Sequence, residues 1–323
     1  MKFKYLSLVV WVFCSSAFAQ NFVENTDITD QVNAELKKNN FVSIPSGDYK
    51  VDANKSIQPP SGSTIKMQNG TRLFVIPSRH DSSRVFKISN VYNVKITGGQ
   101  LIGDKYTHLS SKGEWGMGVE IRDSQNISIS NMSINKMWGD AIYIGTNGKN
   151  SSYNINISNI YMDDNRRQGI SIISVDTLDA TNIKATNTKG TKPANGIDIE
   201  PNDGFMILKN INLNDIFTSG NAGAGIQIGL SRYNSIYHPV SINIQNHTDA
   251  YSKYGLLVGA VNKLSSGTVN MSFVNYNRSK MPSCFNSWSN NKFNINIRGE
   301  IGRSKDLRCM GYLKNNNISF SKK

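Results

Sequence analysis

Apolar residues in this chain fall largely at every second position, in short runs that return at a regular interval. From about residue 85 onward a small residue, usually Gly, precedes an apolar, variable, apolar triplet. The examples are Gly118-Val119-Glu120-Ile121, Ala141-Ile142-Tyr143-Ile144, Gly169-Ile170-Ser171-Ile172, Gly196-Ile197-Asp198-Ile199, Gly225-Ile226-Gln227-Ile228 and Gly255-Leu256-Leu257-Val258. Successive starts lie 23, 28, 27, 29 and 30 residues apart, and secondary alternating runs such as Asn154-Ile155-Asn156-Ile157 fill the intervals. Alternation with a period of two is the strand signal. A repeat of this length holding two or more strands is the signature of a solenoid. One turn cannot close a core, but stacked turns can, with the flanking Ile residues pointing inward and the middle residue pointing to solvent. An antiparallel sandwich fits less well, because hairpin turns would not recur at such long, regular intervals. The Asn-rich corners suit the solenoid: Asn tolerates the left-handed backbone of tight turns, and inward-facing Asn is expected to form ladders between coils.

The pattern turns helical once, between Thr26 and Lys38, where Ile28, Val32 and Leu36 fall four apart after the capping candidates Thr26 and Asp27. A strand, a turn at Pro45-Ser46-Gly47-Asp48 and a second strand follow, over residues 41–51. Residues 1–19 combine basic Lys2 and Lys4, an apolar stretch from Tyr5 to Phe13 and a small-residue end, Ala17-Phe18-Ala19. That is the layout of a cleaved secretory signal, with an apolar run shorter than the roughly 20 residues a bilayer span needs. The expected organisation is therefore a signal peptide over 1–19, an N-terminal cap over 20–84 and the solenoid over 85–323. The protein is expected to be exported, to the periplasm or beyond the cell, with no membrane span.

Composition sharpens this picture. Of 323 residues, 38% are hydrophobic and 18% charged, leaving a large share to Asn, Ser, Thr and Gly, which excludes an all-α fold. Three Cys exclude a small disulfide scaffold. With Cys14 inside the signal, Cys284 and Cys309 remain as an even pair in an oxidising compartment, and they are expected to be joined. Cys284 lies 29 residues after Gly255, and Cys309 lies 25 after Cys284, which puts both at the small position of the repeat in neighbouring coils. The net charge of +13 comes from dispersed Lys and Arg with no basic run, which argues against nucleic acid and, for an exported protein, for an acidic polysaccharide or anionic envelope.

The densest segments read Gly113-Glu114-Trp115-Gly116-Met117-Gly118, Trp138-Gly139-Asp140-Ala141-Ile142-Tyr143-Ile144-Gly145, Asn165-Arg166-Arg167-Gln168-Gly169-Ile170-Ser171-Ile172 and Gly196-Ile197-Asp198-Ile199-Glu200-Pro201-Asn202. With the N-terminal helix and Val42-Ser43-Ile44-Pro45-Ser46-Gly47-Asp48-Tyr49, they resemble the right-handed parallel β-helix proteins of the pectate lyase-like superfamily. The resemblance implies an all-β solenoid with a short capping helix. It also implies action on a polysaccharide along one outer sheet face, by hydrolases, lyases, epimerases or tailspikes. Asp140 matches the second Asp of the polygalacturonase-like Asp-Asp pair. Gly139 stands where the first Asp would be, and Gln168 stands where a His would precede Gly169.

On the expected outer face, Glu120, Tyr143, Ser171, Asp198 and Gln227 form one row, and Arg122, Gly145, Ile173, Glu200 and Gly229 a second. A glycosidase needs two carboxyl groups, about 5 Å apart for retention or about 6.5–9.5 Å for inversion. Asp140, Asp198 and Glu200 are the acid/base candidates. Glu120, Tyr143 and Asp203 are candidate substrate contacts. Arg166 and Arg167 are expected to pair with a groove carboxylate and to bind a sugar carboxylate, and Trp115 and Trp138 to offer stacking platforms. No bound cofactor or metal is predicted, although Asp163, Asp164, Asp198, Glu200 and Asp203 could offer oxygen ligands to Ca²⁺. The four His show no metal spacing and read as surface or turn residues.

Carboxylate richness favours hydrolysis. The rivals are a lyase or uronate epimerase, in which Tyr143 or an Arg takes a proton, and a non-catalytic carbohydrate-binding adhesin.

Overall fold

A computed structural model describes residues 21–321 except 149, 235–237, 287, 289–291, 303–305 and 312–316. The expected signal peptide lies outside the described residues. The chain is a right-handed parallel β-helix and, among the described residues, has one short α-helix near the N-terminal end of the solenoid. Every strand pair in the two sheets is parallel. Pairing of this kind begins at Phe41–Ile44, which lies beside Thr64–Met67.

Each full coil contributes one long strand and one short strand. The long strands, such as Ser152–Asp163, Val175–Thr186 and Leu208–Ser219, are bent in the middle. In Ser152–Asp163 the buried residues are Ser152, Ile155, Ile157, Ile160 and Met162, so the alternation skips twice, at Tyr153-Asn154 and at Ser158-Asn159. Asn159 takes φ of 55°, the left-handed conformation that turns the chain there, and Asn131 and Asn182 do the same in the flanking coils. Asn side chains at these bends are linked coil to coil, from Asn182 to Asn159 (2.8 Å) and from Asn159 to Asn131 (2.9 Å). These ladders are exposed rather than inward, because the left-handed corner directs the side chain away from the core. Asn165 and Asn221 are the inward corner residues, each accepting a backbone N–H from the preceding coil.

The short strands form the other sheet. In chain order they are Ser82–Ser89, Trp115–Arg122, Ile142–Gly145, Gln168–Ile172, Asn195–Ile199, Ala224–Leu230, Tyr254–Val261 and Met281–Phe285. Their inward Ile, Val and Leu residues join the long-strand residues in one continuous buried core. The helix, Thr29–Asn39, covers the N-terminal end of that core with Ile28, Val32 and Leu36 buried. The N-cap position is Ile28 rather than Thr26 or Asp27, and no side chain caps the helix from it; Asp27, one residue earlier, accepts from the Thr29 backbone N–H at 2.9 Å.

Cys284 and Cys309 are bonded, with Cα atoms 4.3 Å apart. Their positions in the repeat differ from expectation. Cys284 pairs in register with Leu257, the triplet middle, while the small Gly255 lies two places earlier, beside Pro282 on the next coil. The bond therefore forms on the outer side, to the 3₁₀ turn Leu307–Cys309. Two of the four His depart from the surface reading. His247 is buried between the Thr218 hydroxyl (2.9 Å) and the Tyr276 hydroxyl (2.7 Å), and His108 is buried with Nδ1 2.7 Å from Asp104. No helix among the described residues is long and apolar enough to cross a membrane.

Candidate active site

The short sheet carries the predicted row. Register pairs align Lys87, Glu120, Tyr143, Ser171, Asp198 and Gln227 across six consecutive strands. They point away from the core, yet solvent reaches few of them: Glu120, Ser171 and Asp198 are at most 1% exposed. The expectation that triplet middles face open solvent fails because side chains from the corners roof this face. Met206, from the turn after Glu200, packs on Met117, Tyr143 and Ile173 to make a small apolar cluster outside the main core. Arg84, Arg122 and Arg167 lie against the carboxylates.

Asp140 is wholly buried just before the strand Ile142–Gly145. Its Oδ2 accepts from Arg167 Nη1 at 3.0 Å and from the Ser171 hydroxyl at 2.8 Å. Burial raises its pKa, and the guanidinium and hydroxyl pull against that rise. One of the two predicted Arg roles is thereby placed: Arg167 is the partner of a groove carboxylate, with Glu114 3.8 Å from its Nε.

Asp198 sits in a frame of fixed amides. Gln168 Nε2 donates to its Oδ2 at 2.8 Å and Asn195 Nδ2 to its Oδ1 at 3.3 Å. Neither amide is free to turn over, since Gln168 Oε1 accepts the Asn195 backbone N–H (2.8 Å) and Asn195 Oδ1 accepts that of Ala224 (2.6 Å). Burial, and then the nearby charge of Glu200, push the Asp198 pKa up to about 8. At neutral pH this carboxyl carries a proton. Glu200 follows two residues later, partly exposed, its carboxyl lying across Gly229, where an added Cβ would come within 3.5 Å of it.

Tyr143 lies flat over Gly145, whose missing side chain makes room for the ring: a Cβ there would stand 2.7 Å from Tyr143 Cε1. The Arg122 guanidinium is 4.3 Å from the ring centroid. Burial leads the upward shift of the Tyr143 pKa.

The remaining candidates divide sharply. Trp115 is 45% exposed at the edge of the face and open to stacking. Trp138 is 8% exposed, enclosed by the His108 ring at 4.0 Å and the Arg166 guanidinium at 3.8 Å, which corrects its assignment as a sugar platform. Arg166 Nη1 donates to the Gly113 carbonyl (2.8 Å) and lies 3.3 Å from the Trp138 carbonyl, so this side chain ties the corners together instead of reaching toward a ligand. Asp203 sits on the exposed turn, accepting from the Gly204 backbone N–H. The carboxylates considered for Ca²⁺ are engaged elsewhere: Asp164 with Lys105 (2.7 Å) and Tyr106, and Asp163 with Thr186 and Asn187. Among the described residues no three His, Cys, Asp or Glu converge as a metal cluster.

Sequence reasoning passed over Arg84 and the amide pair Gln168 and Asn195. Arg84 precedes the densest motif by a whole coil, and the amides look like corner residues until the coil register sets them beside Asp198.

No protein-family profile matches the chain. YclG, an uncharacterized protein of Bacillus subtilis (strain 168), is 31% identical over 206 residues, which is 54% of this chain. The match spans only 35% of YclG. Among solved structures, the tailspike protein gp49 of Acinetobacter baumannii bacteriophage Fri1, a capsular polysaccharide depolymerase, superposes with a TM-score of 0.62 at 12% identity, over 91% of this chain and 57% of that one. The catalytic domain of a GH87 alpha-1,3-glucanase in complex with nigerose gives 0.50 at 11% identity, over 93% and 67%. Both likenesses concern the fold.

Proposed function

We propose that this protein is an exported glycoside hydrolase that cleaves a polysaccharide lying along the short sheet, with Asp198 as the general acid. The observation that carries the reading is the opposed placement of Asp198 and Glu200. Asp198 is buried and pushed up to about 8, while Glu200, two residues on, reaches the surface. A buried carboxyl that holds its proton beside a carboxyl open to water gives an acid and a base in one groove. Two residues along an extended chain place their Cα atoms about 6.6 Å apart, a spacing from which side chains can meet the carboxyl separation used for inversion. In this mechanism the Asp198 proton passes to the glycosidic oxygen as the bond to the anomeric carbon breaks. Glu200 takes a proton from the water that attacks the opposite face.

Asp140 is two coils away, about 10 Å along the axis. Through Arg167 and Ser171 it fixes the charge balance beneath the acid. Trp115 supplies a stacking surface at the groove edge. The depolymerase and the glucanase that share the fold support a polysaccharide as substrate class, and the Cys284–Cys309 bond supports export. A lyase mechanism through Tyr143 fits less well, since a phenol whose pKa is raised is a poor base at neutral pH.

The test is incubation of the mature protein with acidic and neutral polysaccharides, following reducing ends together with absorbance at about 235 nm, where an unsaturated uronate absorbs. New reducing ends without absorbance, abolished in an Asp198→Ala, Glu200→Ala variant, are expected. Absorbance accompanying the reducing ends would replace the reading with a lyase. Binding without any product would leave a carbohydrate-binding surface protein.

A further inference from the structure

We infer that the N-terminal end of the same groove is a subsite for the carboxylate of an acidic sugar, held by Arg84 and Arg122 with Lys87 beside them. The inference rests on the polysaccharide reading above and names the class of substrate. It starts from a charge imbalance. Glu120 is 1% exposed and stands between two guanidinium groups, with Arg84 Nε 3.0 Å from its Oε2 and Arg122 Nε 2.8 Å from its Oε1. One buried carboxylate thus faces two permanent cations, and Lys87 is in register with Glu120 on the preceding coil, exposed, so the cluster carries an excess of positive charge on one face.

The two guanidinium groups are held but not used up. Arg122 Nη1 donates to the Thr146 carbonyl at 2.7 Å and its plane lies over the Tyr143 ring. Its side chain is still 20% exposed and that of Arg84 24% exposed. Arg84 Nε is buried, and its approach to Glu120 lacks hydrogen-bond alignment. Two partly exposed guanidinium groups on one face suit a carboxylate, which accepts charge-assisted N–H bonds from them. Glu120 acts here as a positioning residue: it fixes both side chains and lowers the cost of bringing two cations together. The roles foreseen for Arg166 and Arg167 pass to this pair, because Arg166 is bonded to corner carbonyls and Arg167 to Asp140.

The direction of the groove gives the subsite a place relative to the scissile bond. Glu120 and Asp198 lie three strands apart in the same row, about 14 Å along the axis. A carboxylated unit bound at Arg84 and Arg122 therefore sits a few sugar units from the bond above Asp198, where it sets binding and register without touching the reacting atoms.

The test is calorimetric titration of the mature protein with oligogalacturonates and oligomannuronates, each alongside the same oligomer with its carboxyl groups reduced to alcohols. Lys87→Gln, an exposed change, and Arg84→Gln, which leaves Arg122 on Glu120, are the variants, with thermal melting as the control for folding. The expected result is binding of at least one acidic oligomer at least tenfold tighter than its reduced form, with that preference falling at least threefold in Lys87→Gln and tenfold in Arg84→Gln. Equal affinity for acidic and reduced forms, no binding of any of them, or a preference untouched by both variants would overturn the subsite. Acid-selective binding without cleavage would uphold the subsite and refute the hydrolase reading.

Discussion

Replacing Asp198 by Asn tests whether the proton in the groove exists. A carboxyl whose pKa rises from 3.8 to about 8 on folding takes up a proton that the unfolded chain releases above pH 3.8. Its contribution to stability is therefore fully present below about pH 4 and is lost progressively as pH rises toward about 8. At about 1.4 kcal/mol for each pH unit in that window, the loss between about pH 5 and about pH 8 is roughly 4 kcal/mol. The amide of the Asp198→Asn variant would carry no such penalty. It would have a fixed one instead, because Gln168 and Asn195 both present N–H groups to this side chain and an amide can accept only through its oxygen. With its oxygen turned to Gln168, the variant gives up the 3.3 Å contact to Asn195, a loss of about 1 kcal/mol at any pH.

The two terms nearly cancel at about pH 5, so the variant and the parent should melt within a degree or two of each other there. At about pH 8 the variant should be more stable by roughly 4 kcal/mol, or about 8 °C in melting temperature for a chain of this size. Comparing the two proteins at each pH cancels the other titrating groups, including His247, whose burial holds its pKa at about 3. Differential scanning calorimetry reads the outcome. A melting gap that does not change between the two pH values would show that Asp198 is ionised in the folded protein, and the general-acid assignment would fall with it. The same substitution should reduce turnover by about 10²–10⁴-fold, the range for loss of a general acid.

Trp115→Ala should weaken polysaccharide binding, measured by affinity electrophoresis, with no change in melting temperature, because the indole is half exposed. Trp138→Ala should lower stability by about 3–5 kcal/mol, because it empties a buried site against His108 and Arg166. Arg167→Met leaves the buried Asp140 with only Ser171 and should cost about 3–5 kcal/mol in a denaturant melt; a loss below about 1 kcal/mol would show that Asp140 is already neutral. Reduction of Cys284–Cys309 should expose the last coils to limited proteolysis before the coils around Asp198, since each coil of a solenoid is held mainly by its neighbours.

The fold was legible because its information is local and repeated. Each coil restates the same inward pattern, so a single misread triplet changes little. The Cys pair shows where that reading stops. Counting from Gly255 put Cys284 at the small position, but the last coil is two residues shorter there than the count implies, and register places Cys284 beside Leu257. A shift of two keeps a residue on the same alternation, so the expected pairing survived an error in its position. The ladders failed differently. Alternation places Asn on a face, but a left-handed corner interrupts alternation, and Asn159 and Asn182 leave the core at that interruption.

The site was legible as a row and illegible as a network, and the difference has a physical origin. Register follows from spacing, so Glu120, Tyr143, Ser171 and Asp198 could be aligned from sequence. Burial of an outward face depends on long side chains arriving from other coils. Arg84 reaches Glu120 across 36 positions of sequence and Arg167 reaches Asp140 across 27, and no local pattern encodes either approach. The same applies to proton affinity. Asp198 and Asp140 look alike as residues following a Gly-rich corner, yet one is framed by amides beside a carboxylate and the other is bonded to a guanidinium. What separates their roles is the charge set beside each, Glu200 two residues along the same coil for Asp198 and Arg167 from the next coil for Asp140. A charge exchange such as Arg167→Glu should therefore disturb the two carboxyls in the same direction, raising both and moving the basic limb of activity upward, which a pH–rate profile of the variant against the parent would detect.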